Sequence, residues 1–127
     1  MTNARLRTRM KVGDPAEVER FVEETKDAIG DAVMIMDGAE ADMDEMRREY
    51  DKAYARAILN AAGPQYQRTA IATLDDEVDK AKEAYDIAKR AFHYAERENK
   101  SLEKELFAWQ SILNSVRSTW NATGGRP

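Results

Sequence analysis

Ile71, Leu74, Val78, Ala81, Tyr85, Ala88, Phe92, Ala95, Asn99, Leu102, Leu106, Trp109, Leu113, Val116 and Trp120 follow one another at alternating steps of three and four residues. Such steps keep side chains on one side of an α-helix. The stretch therefore reads as an a/d heptad seam about seven heptads long, or roughly 75 Å at a rise of 1.5 Å per residue. A helix of that length must lay its apolar stripe against another helix. Only Asn99 interrupts the seam with a polar side chain.

The partner helix lies upstream. Asp14-Pro15-Ala16-Glu17 is a helix start: Asp14 can cap, Pro15 suits the first helical position, and Glu17 stands where a capping-box acid reaches back. From there Val18, Val22, Thr25, Ile29, Ala32, Met36, Ala39, Met43, Met46, Tyr50, Ala53 and Ala57 form a second seam. Gly63 and Pro64 end it, the glycine as a left-handed cap and the proline as a block to continuation. The spacing predicts a helix over 15–62, a connector over 63–69 with Thr69 or Thr73 as the next cap, and a helix over 70–120. Asp75, Asp76 and Glu77 then sit near the positive end of the second helix dipole. Residues 1–13 read as a flexible basic arm, 14–121 as a helical hairpin and 122–127 as a disordered tail. The fold class is all-α: a long antiparallel two-helix hairpin, a coiled coil, that assembles into a multi-helix bundle. A turn near residue 66 places Trp109 opposite Phe21 and Val22, and Tyr85 near Met46.

One stretch argues with continuous helix. Residues 30–38 hold five consecutive apolar residues, Ala32 to Met36, between Gly30 and Gly38. Each glycine costs a helix interior about 1 kcal/mol, and Val33 and Ile35 suit a strand. A short strand or a hinge is the alternative, but the heptad phase passes unbroken from Ile29 to Met43, which favours helix.

Composition sets outer bounds. Among 127 residues, 35% are charged and 8% aromatic, with 6 Gly, 3 Pro and no Cys. This is the profile of long helices, and it excludes disulfides, thiolate metal sites and cysteine nucleophiles. No apolar run approaches membrane-spanning length and the basic N-terminus lacks a signal-peptide core, so no membrane contact and a cytoplasmic location are expected. Arg5, Arg7, Arg9 and Lys11 give residues 1–13 a charge of +4 with no acid; residues 14–62 hold fourteen acids against six bases, and 63–127 balance at ten each. An acidic body disfavours broad contact with a phosphate backbone, while the arm is a candidate for local contact with nucleic acid.

Off the seam, Ala84, Ile87, Ala91 and Tyr94 form a second stripe, and Phe107 and Ile112 add apolar surface further along. Val33, Met34 and Ile35 face more than one side of their turn. A two-stranded seam leaves such residues exposed, and contiguous apolar surface usually marks a partner site. These nine residues are the candidate oligomer or partner interface, unless the first helix wraps widely enough to cover them. Asn99 is the candidate that specifies register and chain number, paired with Asn99 of a second chain or with a backbone carbonyl near Gly30.

Chemistry finds little footing. The acids Asp37, Glu40, Asp42, Asp44 and Glu45 lack the central glycine and terminal glutamate of an EF-hand loop. A carboxylate-bridged di-iron site needs two Glu-x-x-His pairs, and His93 is the only histidine, with Arg90 three before it. No metal and no cofactor are expected. No nucleophile stands in a turn near His93 and no Gly-rich turn is placed to cradle phosphate, so no enzymatic activity is expected.

The run Tyr50-Asp51-Lys52-Ala53-Tyr54-Ala55-Arg56-Ala57, the connector, and the stretch Val78 to Trp120 with Ala84-Tyr85, Lys100-Ser101-Leu102, Glu105-Leu106, Gln110-Ser111 and Val116-Arg117 resemble small α-helical hairpin proteins encoded by phages and prophages, notably of actinobacteria. The resemblance covers roughly residues 14–120 and carries over no functional residue. It implies an accessory role in phage recombination or replication, in the host cell cytoplasm. The expected function is a homo-oligomeric interaction protein that binds a recombination or replication protein, or a host defence factor. A nucleic-acid-binding factor acting through the arginine-rich arm is the second expectation, and a virion or assembly scaffold component the third.

Overall fold

The computed structural model describes residues 14–124. They form three helices: α1, Pro15–Asn60; α2, Gln65–Thr73; and α3, Asp76–Ala122. No strand occurs among the described residues. Residues 30–38 are helical throughout, so the unbroken heptad phase prevails over the cost of two interior glycines.

The helix ends follow local chemistry. The Asp14 carboxylate accepts the Ala16 amide at 2.9 Å, satisfying one donor that has no partner within the helix. Glu17 does not complete a capping box; its carboxylate is held by the Arg20 guanidinium on the next turn. At the other end Gly63 takes φ +104°, a left-handed conformation that favours glycine. Arg68 reaches back with Nε at 3.1 Å and a terminal nitrogen at 2.9 Å from the Ile58 carbonyl, so a side chain satisfies a late acceptor of α1.

The expected connector over 63–69 and the single helix from residue 70 need correction. Residues 65–73 are a separate nine-residue helix, and α3 starts afresh at Asp76. Neither Thr69 nor Thr73 caps α3. Both lie inside α2, where the Thr73 hydroxyl donates to the Thr69 carbonyl at 2.8 Å. Asp75 is the cap instead, accepting the amides of Glu77 at 2.9 Å and Val78 at 3.1 Å. Aspartate is a stronger N-cap than threonine, and three further acids, Asp76, Glu77 and Asp79, follow it in the first turn. Ile71 and Leu74 therefore leave the seam; Leu74, the C-cap of α2, is 82% exposed. At the far end α3 runs past the expected limit of 120, and the Thr123 and Gly124 amides still bond to Thr119 and Asn121. Gly124 closes the helix at φ +69°.

The chain divides into two compact units. The first comprises, of the described residues, 14–33 and 97–124. Here α1 ascends as α3 descends: Arg117 donates to Glu19 at 2.6 Å, and the Phe21 and Trp109 rings lie 4.9 Å apart. The expected pairing of Trp109 with Phe21 and Val22 is present, and with Val18 and Leu113 these residues form one buried cluster. Fully burying a large apolar side chain contributes about 1.5–3 kcal/mol, so five such residues dominate the unit's stability. The ion pair is half exposed and adds at most about 1 kcal/mol.

The second unit is Met34–Glu96. Its buried apolar residues are Ala53, Ala72, Val78 and Ala95, three of the four being alanine. Tyr85, expected near Met46, stacks on Tyr50 one turn further along α1, with centroids 6.4 Å apart and planes 11° from parallel. Each alanine hides little apolar area, so this unit packs with small side chains at its centre, and its large ones are divided between half-buried and exposed positions.

Candidate interaction surface

The stripe Ala84, Ile87, Ala91 and Tyr94 lies along α3 in the second unit. Ile87 is 53% exposed and Tyr94 60%, while Ala84 is half-buried and Ala91 exposed. Ala84, Ile87, Ala88 and Ala91 face Ala39, Asp42 and Met46 of α1 across an open groove of about 390 Å³. Its floor is largely alanine because seam positions 39 and 88, and positions 84 and 91 beside the seam, carry methyl groups only. Ile35 stands one turn before Ala39 on the same stripe of α1 and is 66% exposed, with Met34 exposed beside it. The sequence expectation thus meets a physical arrangement at Met34, Ile35, Ala84, Ile87, Ala91 and Tyr94. Apolar knobs stand beside a shallow apolar channel whose only charged lining residue is Asp42.

Val33, Phe107 and Ile112 belong to the first unit and take no part in this groove. Val33 and Phe107 are exposed. Ile112, expected off the seam and outside, is half-buried against the Trp109 cluster of its own chain. Arg5, Arg7, Arg9 and Lys11 lie outside the described residues.

Three polar side chains gather inside the first unit, two of them, Asn99 and Thr25, at seam positions. Asn99 is buried. Its Nδ2 donates to Glu103, one turn along the same helix, at 3.2 Å, rather than to a backbone carbonyl near Gly30. Its buried Oδ1 has no hydrogen-bond partner. Thr25 is fully buried and turns its hydroxyl to the Phe21 carbonyl at 2.8 Å. Glu105, which the spacing does not single out, is 3% exposed and accepts the Trp109 indole N–H at 3.4 Å. Its place four residues before a seam tryptophan is the signal that would have found it, since i and i+4 side chains meet on one helix face.

An unsatisfied buried amide oxygen costs about 1–3 kcal/mol, whereas leucine in its place brings only apolar contacts. Asn99→Leu is therefore expected to raise the thermal midpoint and, with the polar register signal gone, to broaden the size distribution. Thermal melts and size-exclusion profiles check both; an unchanged or lower midpoint would contradict the burial of Oδ1.

Large apolar side chains also stand at the surface near the connector, and two of them, Ile71 and Leu74, are residues that the heptad pattern placed in the seam. Leu59, Tyr66, Ile71 and Leu74 are all exposed around α2. The break was signalled by three consecutive acids, Asp75 to Glu77, which suit a helix start better than a helix interior. His93 is exposed, with Nδ1 3.5 Å from the Glu96 carboxylate. Among the described residues no group of three or more His, Asp or Glu side chains is placed to hold a metal ion, and no helix is long and apolar enough to cross a membrane. The arrangement offers contact area. No protein family, curated protein or solved structure matches this chain.

Proposed function

We propose that this chain is a non-enzymatic, phage-type interaction protein that self-associates and binds a protein partner in the cytoplasm, either a recombination or replication protein or a host defence factor. One observation carries the reading: the second unit buries almost only alanine and leaves Ile35, Ile87 and Tyr94 exposed beside an apolar groove. Water contact at those side chains is unfavourable, and an apolar partner surface relieves it. The phage context and the class of partner rest on the family resemblance alone.

A second reading has its own support in the sequence. Residues 1–13 carry four basic side chains and no acid. In that reading assembly serves to cluster arms, making individually weak phosphate contacts effective together.

Light scattering on the full chain, alone and with a single-stranded DNA oligonucleotide, separates the two. The first reading predicts a mass above the 14.4 kDa of one chain without DNA and no gain on adding it. A monomer that gains mass only with DNA, through binding that weakens steeply with salt and is lost on deleting residues 1–13, would replace it with the second.

A further inference from the structure

We infer that the exposed stripe of α3 is the dimer interface of this protein, with two copies of the helix packed antiparallel about a two-fold axis between Ile87 and Ala91. The inference rests on the self-association proposed above and names its surface and orientation. Along α3 the stripe reads Lys80, Ala84, Ile87, Ala91, Tyr94, Glu98, at steps of four, three, four, three and four. Those steps are the same in both directions, so a second copy running the opposite way meets the first in register.

Size and charge then match at every level. A two-fold axis sets Ile87 of each copy against Ala91 of the other, and Tyr94 against Ala84. Each large side chain meets a methyl group, as ridge into groove requires, and like meets like nowhere along the stripe. At the ends Lys80 of one copy meets Glu98 of the other, twice by symmetry. A parallel arrangement loses all of this: Tyr94 would face Tyr94, and Lys80 would face Lys80.

Area points to a dimer of moderate strength. The exposed parts of Ile35, Ile87 and Tyr94, with the alanines and Met46 of the groove, amount to roughly 500 Å² per copy, about 1,000 Å² in the pair. That is the lower edge of specific interfaces, so the dissociation constant is expected in the micromolar range and is sensitive to small changes.

Sedimentation equilibrium on the full chain and its charge variants tests the arrangement, with circular dichroism confirming that each variant remains helical. Lys80→Glu and Glu98→Lys are each expected to weaken dimerisation about tenfold, because two symmetric attractions become repulsions. Combining them is expected to restore affinity to within about threefold of wild type, since the reversed charges again face their opposites. Restoration occurs only if these two positions meet across copies, because 18 residues separate them on one helix. A wild-type dimer indifferent to either single change, or one that the double change weakens further, would overturn this arrangement and leave self-association standing. A wild-type chain that stays monomeric at every concentration would overturn both.

Discussion

Replacing Trp109 with alanine is expected to cost about 3–5 kcal/mol of folding stability, a large fraction of what a domain of this size possesses. Trp109 is fully buried, its ring lies 4.9 Å from that of Phe21, and its indole N–H is donated to Glu105. The substitution removes apolar burial, leaves a cavity between two helices that cannot close around it, and takes a hydrogen bond from a buried carboxylate. Phe21→Ala is expected to approach the same cost. The double variant should fall short of the sum by about 1 kcal/mol, the share belonging to the ring pair itself. Trp109→Phe keeps most of the apolar volume and loses the N–H, so a smaller cost of about 1–2 kcal/mol is expected. Urea unfolding followed by circular dichroism measures all four. A loss below 1 kcal/mol in Trp109→Ala would contradict the place of this side chain at the centre of the first unit.

The opposite sign is expected at two other positions. Gly30 and Gly38 lie inside α1 with no positive φ, and a Cβ built on either meets nothing within 4 Å. Alanine therefore enters without strain, reduces the conformational freedom of the unfolded chain and favours the helix by about 1 kcal/mol per site. Gly30→Ala with Gly38→Ala should add about 2 kcal/mol, raising the thermal midpoint by roughly 6–12 °C. The sites are eight residues apart on one helix, so their effects should add. A midpoint that fell would contradict an unbroken helix through 30–38 and revive a hinge or strand there.

Periodicity made the helices, the pairing of Phe21 with Trp109 and the exposed stripe at Ile87 and Tyr94 readable in the amino-acid sequence. Side-chain direction in a helix depends only on spacing, and spacing is visible. The same reasoning failed at Ile71 and Leu74, where a periodic pattern crossed a helix boundary by coincidence. Periodicity records which residues would share a face if the helix continued, and says nothing of whether it does; the caps decide that, and Asp75 decided it here. Glu105 was hidden for a different reason. Burial of a polar side chain depends on what stands across from it, which spacing within one helix does not contain. Asn99 was legible as a buried polar residue, but its bond to Glu103 depends on a rotamer choice.

Sedimentation velocity of the wild-type chain and of Ile87→Asp, over a tenfold range of micromolar concentrations, puts the proposed role of the exposed stripe to trial. Ile87 has more than half its surface in water, so aspartate there leaves the fold intact while burying a charge in any contact made through the stripe. The expected result is a wild-type species moving towards twice the 14.4 kDa chain mass as concentration rises, and a variant that stays at one chain mass with unchanged helicity. Two monomers, or two species that associate equally, would show that this surface is not where the protein meets its own kind.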